Sequence, residues 1–116
     1  MLAKGFRLRK KEEVNLVFRT GKSVSLPEFA LRFLPNDLSH SRVAVLAGVK
    51  LSKKAPVRNR IKRRLRELTR LYFGQLPVGL DLLVIARRVE LSDMDFGELT
   101  KKFLALVAKI PNNKIT

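Results

Sequence analysis

The sequence predicts a small α+β sandwich: one sheet of about four strands, with helices packed on it. Three observations carry this. The elements read in the order helix, strands, helix, strand, helix. Two apolar runs, residues 42–49 and 81–86, are long enough to be buried strands, and the helical pattern between them leaves room for a parallel crossover. Residues 57–72 and 96–110 each carry one apolar stripe at helical spacing. With 116 residues and 46% hydrophobic composition, a single domain with a modest core is expected over 1–116.

Residues 1–8 place Leu2, Phe6 and Leu8 at even spacing among basic residues, as in an extended arm lying on the body. Residues 9–19 turn helical. Val14, Val17 and Phe18 share one face, Leu16 lies away from them, and Gly21 is placed to end the helix in the left-handed conformation. Residues 23–26 suit a short strand, with Pro27 marking an edge. Residues 28–34 alternate: Phe29, Leu31 and Phe33 on one face, Ala30, Arg32 and Leu34 on the other. Pro35-Asn36-Asp37 is a turn by composition. Residues 42–49 then form a central strand, and Pro56 suits the entry of the next helix.

In that helix Val57, Ile61, Leu65, Leu68 and Tyr72 form the buried stripe, while Asn59, Arg63, Arg66 and Arg70 fall opposite, with Lys62 close by. Gly74 to Gly79 is a turn-rich connection to strand 81–86. Ser92 is the expected N-cap of the last helix, with Asp93 and Asp95 complementing its dipole. Phe96, Leu99, Phe103, Leu106, Val107 and Ile110 give it a regular stripe, Pro111 ends it, and residues 112–116 are expected to fray.

The charge is the most informative property. The formal net charge is +15, and +9 of it lies between Lys50 and Arg70, where ten basic residues meet one acid, Glu67. A polyanion is the partner this implies, nucleic acid before a membrane surface. A helix with one buried face and a row of guanidinium groups on the other is suited to phosphates. Arginine predominates over lysine there, which favours bidentate contacts and stacking. Asn59 interrupts the row. It suits either a base edge, a 2′-hydroxyl or a cation's water ligand, or a helix-start role on backbone groups. The phenylalanines read first as core, and some as the floor of a groove for unstacked bases.

Catalytic side chains are not expected. His40, the one histidine, sits in a polar loop and reads as solvated, and no cysteine is present for thiolate chemistry or disulfides. Asp93, Asp95 and Glu98 are explained by the helix dipole without a metal. No apolar run reaches membrane-spanning length, and Met1 to Arg19 lacks the apolar core of a signal peptide, so a cytoplasmic protein is expected.

Arg58-Asn59-Arg60-Ile61-Lys62-Arg63, continuing Arg64-Leu65-Arg66-Glu67, resembles the signature helix of the bacterial ribonuclease P protein subunit family. Phe6-Arg7-Leu8, Val17-Phe18-Arg19-Thr20-Gly21, Arg42-Val43, Ser52-Lys53-Lys54 and Ile85-Ala86-Arg87 match the family in the same order, from about residue 6 to 107. The resemblance implies an α-β-β-β-α-β-α fold with a left-handed βαβ crossover, where general rules alone favour a right-handed one. It implies a ribonucleoprotein whose catalytic RNA, using Mg²⁺ bound mainly by RNA and substrate, removes the 5′ leader of precursor tRNA. The protein would bind both RNAs, without DNA or membrane partners, as a monomer.

Carried over by position, Phe18, Val14, Arg32, Arg58, Asn59, Lys62 and Arg66 are expected near the substrate leader. Lys50, Lys53, Lys54, Arg60, Arg63, Arg64 and Arg70 are expected on the catalytic RNA. Val14 stands where the family often has a second aromatic, Arg32 where an aromatic or polar residue is common, and residues 50–56 lack a frequent glycine. A structural RNA-binding protein, such as a ribosomal protein, is the alternative that fits the same composition. A DNA-binding helix module fits less well, because the flanking strands do not suggest a helix-turn-helix.

Overall fold

A computed structural model describes residues 4–111. A 3₁₀ turn at Lys4–Phe6 leads to α1 (Lys11–Thr20), β1 (Lys22–Ser25), β2 (Phe29–Pro35), β3 (Arg42–Leu46), α2 (Ala55–Leu71), β4 (Leu80–Ala86) and α3 (Phe96–Ala108). Further 3₁₀ turns occupy Phe73–Gln75 and Val89–Ser92. This is the expected α+β order, and the sheet runs β1-β2-β4-β3. β2 pairs antiparallel with both β1 and β4, while β3 pairs parallel with β4, so α2 is the crossover between them.

Alternation along the strands sorts the side chains into two layers. Phe29, Leu31 and Phe33 of β2, with Leu82 and Val84 of β4, meet Ile61, Leu65 and Leu68 of α2 and Leu99, Phe103 and Leu106 of α3. Phe29 and Phe103 stack with ring centroids 6.4 Å apart. On the opposite face the layer is thinner. Val17 of α1 packs with Leu8 and Leu83, flanked by Val14, Leu34, Ala44, Leu46 and Ile85. One ten-residue helix cannot cover that face, so the ends of β3 and β4 stay open.

Several expectations are corrected by the structure. β3 stops at Leu46, three residues before Val49, and residues 49–51 form a turn. Apolar character persisted past the strand because Ala47 is buried at its end. The last helix is capped by Asp95, whose side chain accepts from the Glu98 N–H at 3.1 Å, and Ser92 closes the preceding 3₁₀ turn instead. Gly21 follows α1 in an extended conformation, φ −73° and ψ 160°, not a left-handed one. Its lack of a side chain serves close approach: a Cβ there would lie 2.5 Å from the Val17 carbonyl oxygen and 2.9 Å from that of Phe33.

The arm is not extended throughout. After its 3₁₀ turn, Arg7 bridges to Val43 and the Leu8 N–H donates to the Val43 carbonyl at 2.9 Å. His40 is not a solvated loop histidine; its Nε2 lies 3.0 Å from the Gly5 carbonyl and its ring meets Phe6 edge-on. Leu2 and the tail 112–116 lie outside the described residues.

Candidate nucleic-acid interface

α2 places its cations on three distinct surroundings, because successive residues step 100° around the helix. The first is a cleft of about 700 Å³ at the C-terminal ends of the parallel strands. Its floor is Leu46, Ala47, Ile85 and Ala86, and its walls carry Phe18 from α1, Lys62 from α2, and Lys50 and Arg87 from the connections. Phe18 is 52% exposed, although its neighbour Val17 is fully buried. Phe18 is therefore not core: α1 is anchored through Val17 and holds the phenyl ring at the lip of the cleft. An apolar floor between an aromatic ring and ammonium groups can hold an unstacked base and its phosphates together.

The second surrounding is a smaller cavity of about 270 Å³ on the outer side of β3, lined by Arg7, Leu8, Arg9, Val43, Ala44, Val45, Arg66 and Thr69. Arg66, expected beside the leader with Lys62, is here. The third is the flank of α2 that carries Arg60, Arg63, Arg64 and Glu67 beside Phe96. Two of those arginines are engaged within the protein. Arg60 Nε donates to the Ser92 carbonyl at 2.7 Å. Arg64 donates to the carbonyls of Leu91, at 2.6 Å, and Met94, and its guanidinium lies 5.9 Å from the Phe96 ring centre.

The remaining expected residues divide in the same way. Arg58 donates to the Ser52 carbonyl at 2.8 Å and braces the connection before α2. Arg70 makes a two-pronged pair with Glu67 at 2.6–3.0 Å. The hydrogen bonds of that pair raise the Arg70 guanidinium above its ordinary pKa and hold the Glu67 carboxyl below its own. Arg32 donates to backbone carbonyls at the end of α1. Val14 is half-buried against the thinner core layer and does not line the cleft. Asn59 lies in the second turn of α2, exposed, so it does not serve the helix start. Lys50, which was expected on the catalytic RNA, shares the cleft with Phe18 and Lys62. Lys53 and Lys54 are exposed just before α2.

Sequence reasoning left Val49 and Arg87 out of the site. Both follow the ends of parallel strands, where crevices form in α/β sheets, and that position was the available signal. It also missed the polar cluster under the other end of the sheet. Arg42 and Asp81 are register partners in β3 and β4. Asp81 accepts from Arg42 at 2.7 and 2.9 Å and from Asn36 at 2.9 Å, and Glu13 of α1 meets the same guanidinium at 3.3 Å. The Asp81 hydrogen bonds raise the Arg42 pKa, against the opposing effect of burial. Among the described residues no group of three or more His, Asp or Glu side chains is placed to hold a metal ion, and no helix is long and apolar enough to cross a membrane.

The family model described as Ribonuclease P matches residues 2–111. The chain belongs to the ribonuclease P protein family. The ribonuclease P protein component of Thermotoga maritima is 36% identical over 107 residues, covering 90% of this chain and 91% of that protein. That of Finegoldia magna is 33% identical and covers 96% of each. The solved ribonuclease P protein from Thermotoga maritima superposes with a TM-score of 0.81 at 34% identity, over 90% of this chain and 97% of that one. The Staphylococcus aureus protein does so at 0.76 and 26%, over 92% and 98%. Family membership makes this chain the protein component of an endoribonuclease of tRNA processing, with an RNA partner. It displaces the ribosomal-protein reading.

Proposed function

We propose that the protein holds the 5′ leader of precursor tRNA in the cleft between α1 and the sheet, while the outer surface of α2 and the connection before it grip the catalytic RNA. The observation that carries this is Phe18: a half-exposed aromatic on an anchored helix, facing Lys62 and Lys50 across an apolar floor. Arg63, Lys53 and Lys54, exposed and outside the lining of that cleft, suit the larger RNA. The bond is broken in the RNA, and the protein works there as a cytoplasmic monomer. Mg²⁺ belongs to the RNA and substrate phosphates in this reading, since Lys50, Lys62 and Arg87 repel a divalent cation from the cleft.

Reconstitution with a cognate ribonuclease P RNA tests the proposal. The protein is expected to permit cleavage of precursor tRNA at Mg²⁺ concentrations where the RNA alone is slow. Phe18→Ala should weaken binding of leader-bearing substrate by about 1–3 kcal/mol, the range for one base stacked on an aromatic ring, and leave mature tRNA affinity unchanged. Equal losses for both substrates would remove Phe18 from leader binding.

A further inference from the structure

We infer that Arg32 is a positioning residue for Phe18: it fixes the aromatic wall of the cleft from behind and does not itself grip the leader. The inference rests on the reading of the cleft given above. Arg32 lies on the β2 face that carries α1, opposite the buried Phe29, Leu31 and Phe33. Its guanidinium donates through Nη2 to the Gly21 carbonyl at 2.7 Å and, at the longer distance of 3.4 Å, through Nε to the Val17 carbonyl. The Gly21 N–H also reaches the Val17 carbonyl, at 2.8 Å. A cation thus sits at the negative end of α1, where the carbonyls at the helix end need partners.

The same guanidinium lies 5.9 Å from the centre of the Phe18 ring, within cation–π range. One residue therefore ties the last turn of α1 to the sheet and contacts the ring that this turn presents. Gly21 lets the tie be short, because a Cβ at that position would collide with the carbonyls of Val17 and Phe33. Arginine suits this role and lysine does not. A planar fork can donate to two carbonyls and lie near a ring at once, whereas an ammonium is a point charge. The cation adjoins the ring, and the leader base is left the rest of its exposed surface.

A double-mutant cycle in the reconstituted holoenzyme separates positioning from direct contact. Arg32→Ala is expected to weaken binding of leader-bearing precursor tRNA by about two- to fivefold, the worth of an exposed cation–π contact, with mature tRNA binding unchanged. Arg32→Lys should behave like Arg32→Ala. In a Phe18→Ala background, Arg32→Ala should add nothing, and the salt dependence of leader binding should be the same with and without Arg32. Additive losses, with a salt slope lower by about one and rescue by lysine, would show a direct phosphate contact and overturn the inference. Fluorescence from Phe18→Trp gives an activity-free reading: Arg32→Ala should change the emission of that indole in the free protein, and an unchanged spectrum counts against the contact. Failure of the cleft itself would look different, because Phe18→Ala would then lack any leader-specific effect.

Discussion

At the scale of single residues, the fold depends on a few positions where chemistry overrides the usual reading of a residue type. Gly21 is the clearest. Glycine after a helix suggests a left-handed cap, yet its φ here is available to any residue, and only the missing Cβ matters. Gly21→Ala should therefore destabilise the protein by about 1–3 kcal/mol through overpacking against two backbone oxygens, measured by denaturant unfolding. A left-handed requirement would be suspected only if asparagine were tolerated better than alanine there. Asp81 is the second such position. It is the second residue of an otherwise apolar strand and is buried, whereas sequence patterning treats it as the strand's first residue. Its carboxylate anchors Arg42 and Asn36 at once. Asp81→Ala would leave a half-buried guanidinium with only the more distant Glu13, a loss of about 3 kcal/mol by analogy with broken buried pairs. Thermal unfolding of the variant checks this, and an unchanged midpoint would reduce the cluster to a solvated pair.

At the scale of elements, periodicity made most of the fold legible and failed where geometry is set by partners. The stripes of α2 and α3 and the alternation of β2 are visible in sequence because burial imposes a period on each. The end of β3 was not visible, since Ala47 is buried beyond the last paired residue. Nor was the start of α3, because Ser92, Asp93 and Asp95 are all good caps and only the backbone path selects Asp95. The division of α2's cations was partly legible. A helical wheel separates Lys62 from Arg60, yet it cannot show that Arg60 and Arg64 point at the carbonyls of residues 91–94. That latch joins α2 to the turn that enters α3. Arg64→Ala is expected to cost about 2 kcal/mol of stability, from hydrogen bonds with a charged donor, while leaving the salt slope of RNA binding unchanged. Arg63→Ala should do the reverse: unchanged stability, and a slope lower by about one. Exchange of those two outcomes would put the latch arginine on the RNA.

At the scale of the whole molecule, the scaffold uses its acids and leaves its bases for the partner. Glu13 and Asp81 hold Arg42, Glu67 holds Arg70, Glu28 holds Lys102, and Asp93 lies 3.9 Å from Arg60. Glu90, Asp93, Asp95 and Glu98 gather at the turn and helix start beyond Arg60 and Arg64, so that end of the molecule carries the opposing field. Net charge alone announced a polyanion, and no sum over composition could show this polarity. The candidate site was legible in its residue types and not in its grouping, because Lys50, Phe18 and Lys62 come from three separate stretches of chain. The polarity sets a number. Six side chains between residues 50 and 66 (Lys50, Lys53, Lys54, Lys62, Arg63 and Arg66) have no hydrogen-bond or ion-pair partner among the described residues. If each neutralises one RNA phosphate, the logarithm of the affinity should fall with that of salt concentration at a slope of about −5, which is about a 10³-fold loss between 50 and 200 mM. Assembly of the protein with the catalytic RNA and leader-bearing substrate together, measured across that range, checks it, since Lys50 and Lys62 line the leader cleft. A slope near −10 would show phosphate contacts beyond these six, from cations outside residues 50–66 or from arginines 58, 60, 64 and 70 leaving their internal partners. A slope near −2 would mean that most of the exposed row never meets RNA.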